Sequence, residues 1–337
     1  MTPVCGDKAV ANPQNPSAED SLIARYFKPL ATDPGAFGLV DDAAVLSSSG
    51  DDLVVTTDAV VEGVHYLAGD PAGTIARKAL RVNLSDLAAK GAVPAGFVLT
   101  LALRSKEDAW LRPFADALGE DAREFACPLL GGDTVSTPGP LTISITAFGR
   151  VPPGGMVKRA SAQPGDRVIV TGTIGDAALG LALLTGKMTL DDATAREALT
   201  GRYRVPQPRV GLAKAVRTYA RAAMDVSDGL AGDLAKLCAA SGISAVIDAG
   251  SVPLSVAARS LIAQGKVGLP VLVSGGDDYE ILCTVPEDRL DAFTAAAGES
   301  GVAVTSVGTI IAGNIAPRWL DAEGREIALP RLSYSHF

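Results

Sequence analysis

The sequence predicts an α/β (α+β) protein of two domains, and three observations carry that prediction. A chain of 337 residues exceeds one typical domain, 47% hydrophobic content supplies apolar surface for two cores, and strand-like and helix-like segments alternate on both sides of a Pro-Gly break.

The first 16 residues hold three prolines and no continuous apolar stretch, so they read as a loose tail and not as a secretory signal. Glu19 to Phe27 predicts a short helix with acidic residues at its start, ended by Pro29. Strands follow at Ala43 to Leu46 and Leu53 to Thr57, then a helix from about Pro71 to Lys90 that stops at Gly91. A strand near Phe97 to Leu103, a helix near Glu107 to Phe125 and the alternating run Leu141 to Phe148 complete a first domain over residues 17–150. Two prolines and two glycines in Val151-Pro152-Pro153-Gly154-Gly155 extend neither helix nor strand and mark a linker. The second domain, 151–337, opens with a strand at Arg167 to Val170. It continues with helices near Asp176 to Leu184, Arg209 to Tyr219 and Leu230 to Ala240, and strands near Ala245 to Ile247 and Tyr279 to Val285.

Composition narrows the function classes. The longest apolar stretches fall far below the roughly 20 residues of a membrane-spanning helix. Cys5, Cys127, Cys238 and Cys283 lack the paired spacing of a zinc site or disulfide framework, and a net charge of −8 argues against a nucleic-acid surface. A soluble cytoplasmic protein with small-molecule partners is expected.

Aspartates number 27 against 11 glutamates, and five Asp-bearing turns adjoin predicted strands or helix ends. They are Asp41-Asp42-Ala43-Ala44, Thr56-Thr57-Asp58, Gly131-Gly132-Asp133-Thr134, Asp225-Val226-Ser227-Asp228-Gly229 and Gly275-Gly276-Asp277-Asp278-Tyr279-Glu280. Mg²⁺ is held by one or two carboxylates plus water and substrate phosphates, so dispersed aspartates suit it. Each turn alone reads as a local cap or turn, as Asp133 in a Gly-rich loop and Asp228 before a helix illustrate. Asp86 lies inside a predicted helix and cannot be an N-cap; with Asn83 and Lys90 it lines a polar face that is either a metal site or merely solvated. Asp58 ends a predicted strand, where α/β proteins bind ligands, and two-residue alternation places Thr56 with it and Thr57 opposite. No P-loop or protein-kinase signature occurs, and Thr171-Gly172-Thr173-Ile174-Gly175-Asp176 reads as a structural turn.

Together these segments resemble the thiamine-monophosphate kinase family, in the superfamily of aminoimidazole ribonucleotide synthetase and selenophosphate synthetase. The resemblance runs almost end to end, through Ser21-Leu22-Ile23-Ala24-Arg25-Tyr26-Phe27, Val82-Asn83-Leu84-Ser85-Asp86-Leu87-Ala88 and Ser274-Gly275-Gly276-Asp277-Asp278-Tyr279-Glu280. It implies a two-domain fold of mixed sheets packed with helices, a homodimer in which the first-domain sheets combine, ATP as co-substrate and several Mg²⁺ ions. It implies Asp42, Asp58, Asp86, Asp133 and Asp225 as metal ligands, with Thr56 and Thr57 assisting and Asp228 touching a further ion. Gly132, Arg159 and Ser227 resemble ATP-contacting positions; His65 and Asp277 resemble positions that contact thiamine monophosphate. From the residues alone, His65 reads as a satisfied structural histidine. Val40 replaces the family's usual Gly, Asp277 its usual Glu, and the ending Ser333-Tyr334-Ser335-His336-Phe337 departs from Gly-[Tyr/Trp]-Asp-His-Phe.

An anionic phosphate acceptor needs no strong general base, and no residue is assigned as one; positioning and charge stabilisation carry such a transfer. Two alternatives stand beside this reading. Cys5-Gly6-Asp7-Lys8 is superficially similar to the start of selenophosphate synthetases, and the same acidic turns would serve a non-catalytic nucleotide or metal-binding module.

Overall fold

The computed structural model describes residues 21–39, 46 and 50–329. The expected strand at Ala43 to Leu46, apart from Leu46 itself, the candidate ligand Asp42, Val40, Cys5 and the chain's last eight residues lie outside the described residues.

Residues Ile23–Phe27 form one wide helical turn that passes into a tight one at Lys28–Leu30. Pro29 therefore does not end the run. It sits in the first turn of the second piece, where a missing N–H breaks no intrahelical bond. Four strands then build the first sheet: β1 (Asp52–Val61), β2 (Val93–Leu103), β3 (Leu129–Ser136) and β4 (Thr142–Val151), in the order β1-β4-β2-β3. Helices α1 (Ala72–Ala89) and α2 (Asp108–Glu124) cover one face. Two expectations are corrected here. Gly131, Gly132 and Asp133 belong to β3 and not to a loop, and Asp58 is not a strand end, because β1 continues to Val61. In both cases pairing with neighbouring strands supplies the order that glycine and aspartate propensities do not.

The predicted linker loses Val151 to β4 and begins as a turn at Pro152, whose carbonyl accepts from the Gly155 amide at 2.8 Å. The second sheet combines β5 (Arg167–Thr171), β6 (Ala222–Asp225), β7 (Ser244–Asp248), β8 (Ile281–Val285), β9 (Val304–Ile311) and β10 (Arg318–Leu320) in the order β10-β7-β9-β5-β8-β6. Around it lie α3 (Asp176–Leu184), α4 (Ala193–Arg204), α5 (Ala213–Tyr219), α6 (Leu230–Ser241), α7 (Val256–Ala263), α8 (Leu269–Val273) and α9 (Leu290–Glu299). β8 starts two residues later than expected, leaving Tyr279 and Glu280 in the loop before it, and Arg209 to Leu212 precede α5 as a bend and a short tight turn. The sequence reading had no counterpart for α4, β6, α7, α8, α9, β9 and β10.

α1 joins the two halves. Its residues Leu80, Leu84 and Leu87 are fully buried in the first core, each worth about 1.5–3 kcal/mol relative to exposure. Ala88 and Ala89 belong instead to a cluster with Ile169, Val216 and Ile281 of the second half. Polar residues on α1 are also buried, and each charged one has a partner. Arg77 and Arg81 both reach the fully buried Asp121 on α2, Arg81 through Nε at 2.6 Å and Nη2 at 2.9 Å. Removing that carboxylate takes away the fully buried partner of both guanidiniums and leaves them, as carboxylate partners, only the exposed Glu120 and Glu124. Asp121→Ala is expected to lower unfolding stability by about 3–5 kcal/mol, read as a lower urea midpoint at unchanged slope.

Candidate active site

Asp58 on β1, Asp86 on α1 and Asp225 at the end of β6 converge from three elements of both halves. Asp58 opens onto the cleft, yet crowding by protein and the neighbouring Asp86 charge push its carboxyl up to about 6 from an ordinary 3.8. Burial, then the charges of Asp86, Asp233 and Asp58, drive Asp225 well upward, against a hydrogen bond from Ser85. Thr56 donates its hydroxyl to Asp86 Oδ2, so the two-residue alternation that paired Thr56 with Asp58 holds in three dimensions. Thr57 lies on the other sheet face, bonded to the Ile145 carbonyl at 3.1 Å and accepting from Thr146 at 3.0 Å. Lys90, just after α1, donates to the Ala223 carbonyl at 2.7 Å and carries its charge near Asp225, Asp86 and the Arg159 guanidinium.

Beside this cluster a cavity of about 620 Å³ opens between the halves, lined by Asp58, His65, Ser227, Asp228 and Asp277 together with apolar Val64, Val82, Ala178 and Val271. His65 Nδ1 accepts from the Val61 amide at 3.0 Å, which leaves the proton of the neutral ring on Nε2. Asp277 adopts a left-handed backbone (φ 71°), with its amide on the Ser227 carbonyl at 2.8 Å. The Tyr279 amide reaches the Val226 carbonyl and the Val226 amide the Glu280 carbonyl, each at 2.8 Å, so the 226–228 and 274–280 loops are laced together. Gly276 permits that approach: a Cβ there would lie 2.6 Å from the Ser227 carbonyl oxygen.

Three features absent from the sequence reading hold these loops. Glu280 is fully buried between Arg202 at 2.8 Å and Arg209, and Thr171 donates to its Oε2 at 2.6 Å. Asp278 accepts the Gly175 amide at 2.8 Å at the start of α3. That amide is thereby occupied, and the 171–176 turn is structural, as read from the sequence. Asp233 receives the Ser227 and Asp228 amides at 3.0 Å, while Lys236 bridges Asp233 and Asp228. Glu280 stood in the motif, but its arginines lie some 70 residues away and only folding pairs them. Lys78 had one available signal, its place on an otherwise apolar helical stripe with Ile75 and Val82.

The structure does not bring every candidate together. Asp58, Ile145, Leu99 and Gly132 form one cross-strand row, and Ala59, Ser144, Thr100 and Asp133 the next. Gly132 and Asp133 thus sit three strands from Thr57 and Asp58, about 14 Å at ordinary strand spacing. Gly132 also has a local reason, since a Cβ there would collide with the Leu99 carbonyl. Among the described residues no three His, Cys, Asp or Glu side chains close into a metal cage. The convergent carboxylates fit a hard, oxygen-ligated cation that takes further ligands from water and phosphate. Cys127, Cys238 and Cys283 are buried free thiols pushed up to about 12 by that burial, which makes them unsuited to nucleophilic work.

With its folded-state value above the unfolded one, Asp58 holds more protons folded than unfolded between about pH 4 and 6, so metal-free stability falls as pH rises through that window. Asp58→Asn in EDTA is expected to raise the melting temperature at about pH 7.5 and to lose that advantage near pH 4, as followed by scanning fluorimetry.

Residues 40–151 match the family described as AIR synthase related protein, N-terminal domain, and residues 163–319 match AIR synthase related protein, C-terminal domain. A thiamine-monophosphate kinase of Caulobacter vibrioides is 44% identical over 339 residues, spanning 98% of this chain and 94% of its own. The crystal structure of thiamine-monophosphate kinase from Stenotrophomonas maltophilia K279a superposes with a TM-score of 0.81 at 38% identity, covering 92% of this chain and 98% of that one. AaThiL complexed with AMPPCP and TMP gives a TM-score of 0.76 at 29% identity, covering 90% and 97%. With this agreement in sequence and fold along nearly its whole length, the chain belongs to the thiamine-monophosphate kinase family.

Proposed function

We propose that the protein transfers the γ-phosphoryl group of ATP to the phosphate of thiamine monophosphate, forming thiamine diphosphate and ADP. The observation that carries this reading is the interdomain cavity with Asp58, His65, Ser227, Asp228 and Asp277 on its walls, set against the neighbouring carboxylates Asp58, Asp86 and Asp225. Family membership and the AMPPCP and TMP complex of a relative support the same pair of substrates.

In this reading Asp58, Asp86 and Asp225 would hold Mg²⁺, with Thr56, Asp133, Asp228, Asp42 and a backbone oxygen of Thr57, whose side chain lies on the other sheet face, completing the ligand set. Bound Mg²⁺ supplies the positive charge that lets two polyanionic phosphates approach. Arg159, Ser227 and Gly132 orient ATP. Across the cavity, Asp277 faces the cationic thiazolium and the His65 Nε2–H offers a hydrogen bond, while Val64, Val82 and Val271 exclude water from the rings. The acceptor oxygen is already anionic, so the chain's task is alignment, and no side chain need take a proton.

The protein works as a homodimer in this account. Among the described residues nothing covers one face of the first sheet, where Leu53, Val55, Val93 and Val135 are exposed, and Asp133 stands about 14 Å from the Asp58 edge within one chain. A second copy whose β3 lies beside β1 would cover that face and carry its Asp133 toward the cluster. We further propose a division into residues 17–150 and 151–337 after an N-terminal tail, and a cytoplasmic location; among the described residues no helix is long and apolar enough to cross a membrane.

Incubation with ATP, Mg²⁺ and thiamine monophosphate is expected to yield thiamine diphosphate and ADP in equal amounts; nucleotide binding without turnover would favour a non-catalytic module. Asp86→Asn is expected to lower kcat by about 10²–10³-fold, the equivalent of about 3–4 kcal/mol of transition-state stabilisation. Mixing inactive Asp58→Asn with inactive Asp133→Asn after subunit exchange is expected to restore about a quarter of the wild-type rate, since half the dimers would carry one intact site in two. Mixtures that stay inactive would place both residues in one protomer's site.

A further inference from the structure

We infer that Lys78 is a positioning residue for the acceptor substrate: its buried ammonium ties the Asp277 carboxylate to the His65 backbone across the cleft and so sets the affinity for thiamine monophosphate. This rests on the assignment of His65 and Asp277 to substrate binding made above.

Lys78 lies in the middle of α1 with 1% of its surface exposed, among Ile75, Ala79 and Val82. An ammonium in such a place is costly unless each of its donors is used. Nζ lies 3.2 Å from Asp277 Oδ2 and donates to the His65 carbonyl at 2.8 Å. Its third side faces the Tyr203 ring, 3.9 Å from the centroid. Tyr203 itself donates to the same His65 carbonyl at 3.3 Å, closing a ring of contacts through α1, α4 and the loop after β1. The left-handed backbone of Asp277 is held by its amide on the Ser227 carbonyl at 2.8 Å.

Two consequences follow from this geometry. First, Lys78 is a contact between the halves that touches His65 of the first and Asp277 of the second, so it fixes the position of the one relative to the other. Second, Asp277 needs a fixed rotamer to face a cationic ring at useful range, and in this shorter carboxylate the Lys78 ion pair supplies that restraint. The ATP side of the site, around Asp86, Asp225 and Arg159, has no contact with Lys78 among the described hydrogen bonds and ion pairs.

The test compares Lys78→Gln and Lys78→Met, each alone and combined with Asp277→Asn, by steady-state kinetics with both substrates varied and by calorimetric binding of thiamine monophosphate without ATP. Two substitutions are used because Gln keeps one donor for His65 whereas Met fills the space without leaving a polar atom. The expected result is a rise of about tenfold in KM and Kd for thiamine monophosphate, with KM for ATP moving by less than about threefold. In the Asp277→Asn background the added effect of either Lys78 change should shrink to about twofold, because the group it positions is already gone. A parallel rise in both KM values, or fully additive effects, would overturn the positioning role and leave a purely structural ion pair. If Asp277→Asn raises KM for thiamine monophosphate but the Lys78 variants do not, only this inference falls. If Asp277→Asn itself has no effect, the assignment of Asp277 to the substrate falls and this inference with it.

Discussion

The burial of helix α1 on nearly all sides is the constraint on which the rest of the structure depends. A helix that lies against one sheet needs an apolar stripe, but α1 packs on β1 and β4 of the first sheet and also meets β6, β8 and α5 of the second half. Its polar side chains therefore cannot all reach water, and the charged ones have defined partners: Arg81 on Asp121, Lys78 on Asp277 and the His65 carbonyl, Asp86 on Thr56. The site is consequently a product of the same packing that joins the domains.

Carboxylates in this protein divide by what surrounds them. Asp121, Asp70, Asp233 and Glu280 are buried against arginine or lysine and serve the fold or the loops. Asp58, Asp86 and Asp225 instead lie near one another, and burial first, with the neighbouring like charge added to it, pushes Asp58 and Asp225 upward. Stored like-charge repulsion of this kind is relieved by a bound cation, which gives a physical basis for reading the cluster as an Mg²⁺ site. The structural carboxylates are equally important to that outcome, since Glu280 and Asp278 anchor the loop that presents Asp277.

The four-stranded sheet adds a second geometric limit. Its row-by-row register separates the Gly132-Asp133 pair from the Thr57-Asp58 pair by the full width of the sheet. Residues that share a motif set in sequence are thus distributed over two edges, and the exposed sheet face between them asks for a covering layer.

Sequence alone determined the alternating α/β pattern, the span of α1, the placement of Thr56 with Asp58 and the set of Asp-bearing segments, because these depend on local periodicity and on short motifs. It misplaced Asp58 at a strand end and Asp133 in a loop, since cross-strand pairing overrode the turn signals of Asp and Gly. Short elements such as α8 and β10 carried too few residues for a period to show. Only the tertiary structure decided which carboxylates face one another and which are neutralised, that Arg202 and Arg209 meet Glu280, and that a lysine on an apolar stripe spans the cleft to Asp277. Those are contacts between residues tens to nearly two hundred positions apart, and their energies depend on burial and distance, neither of which is a property of a residue's neighbours in the chain.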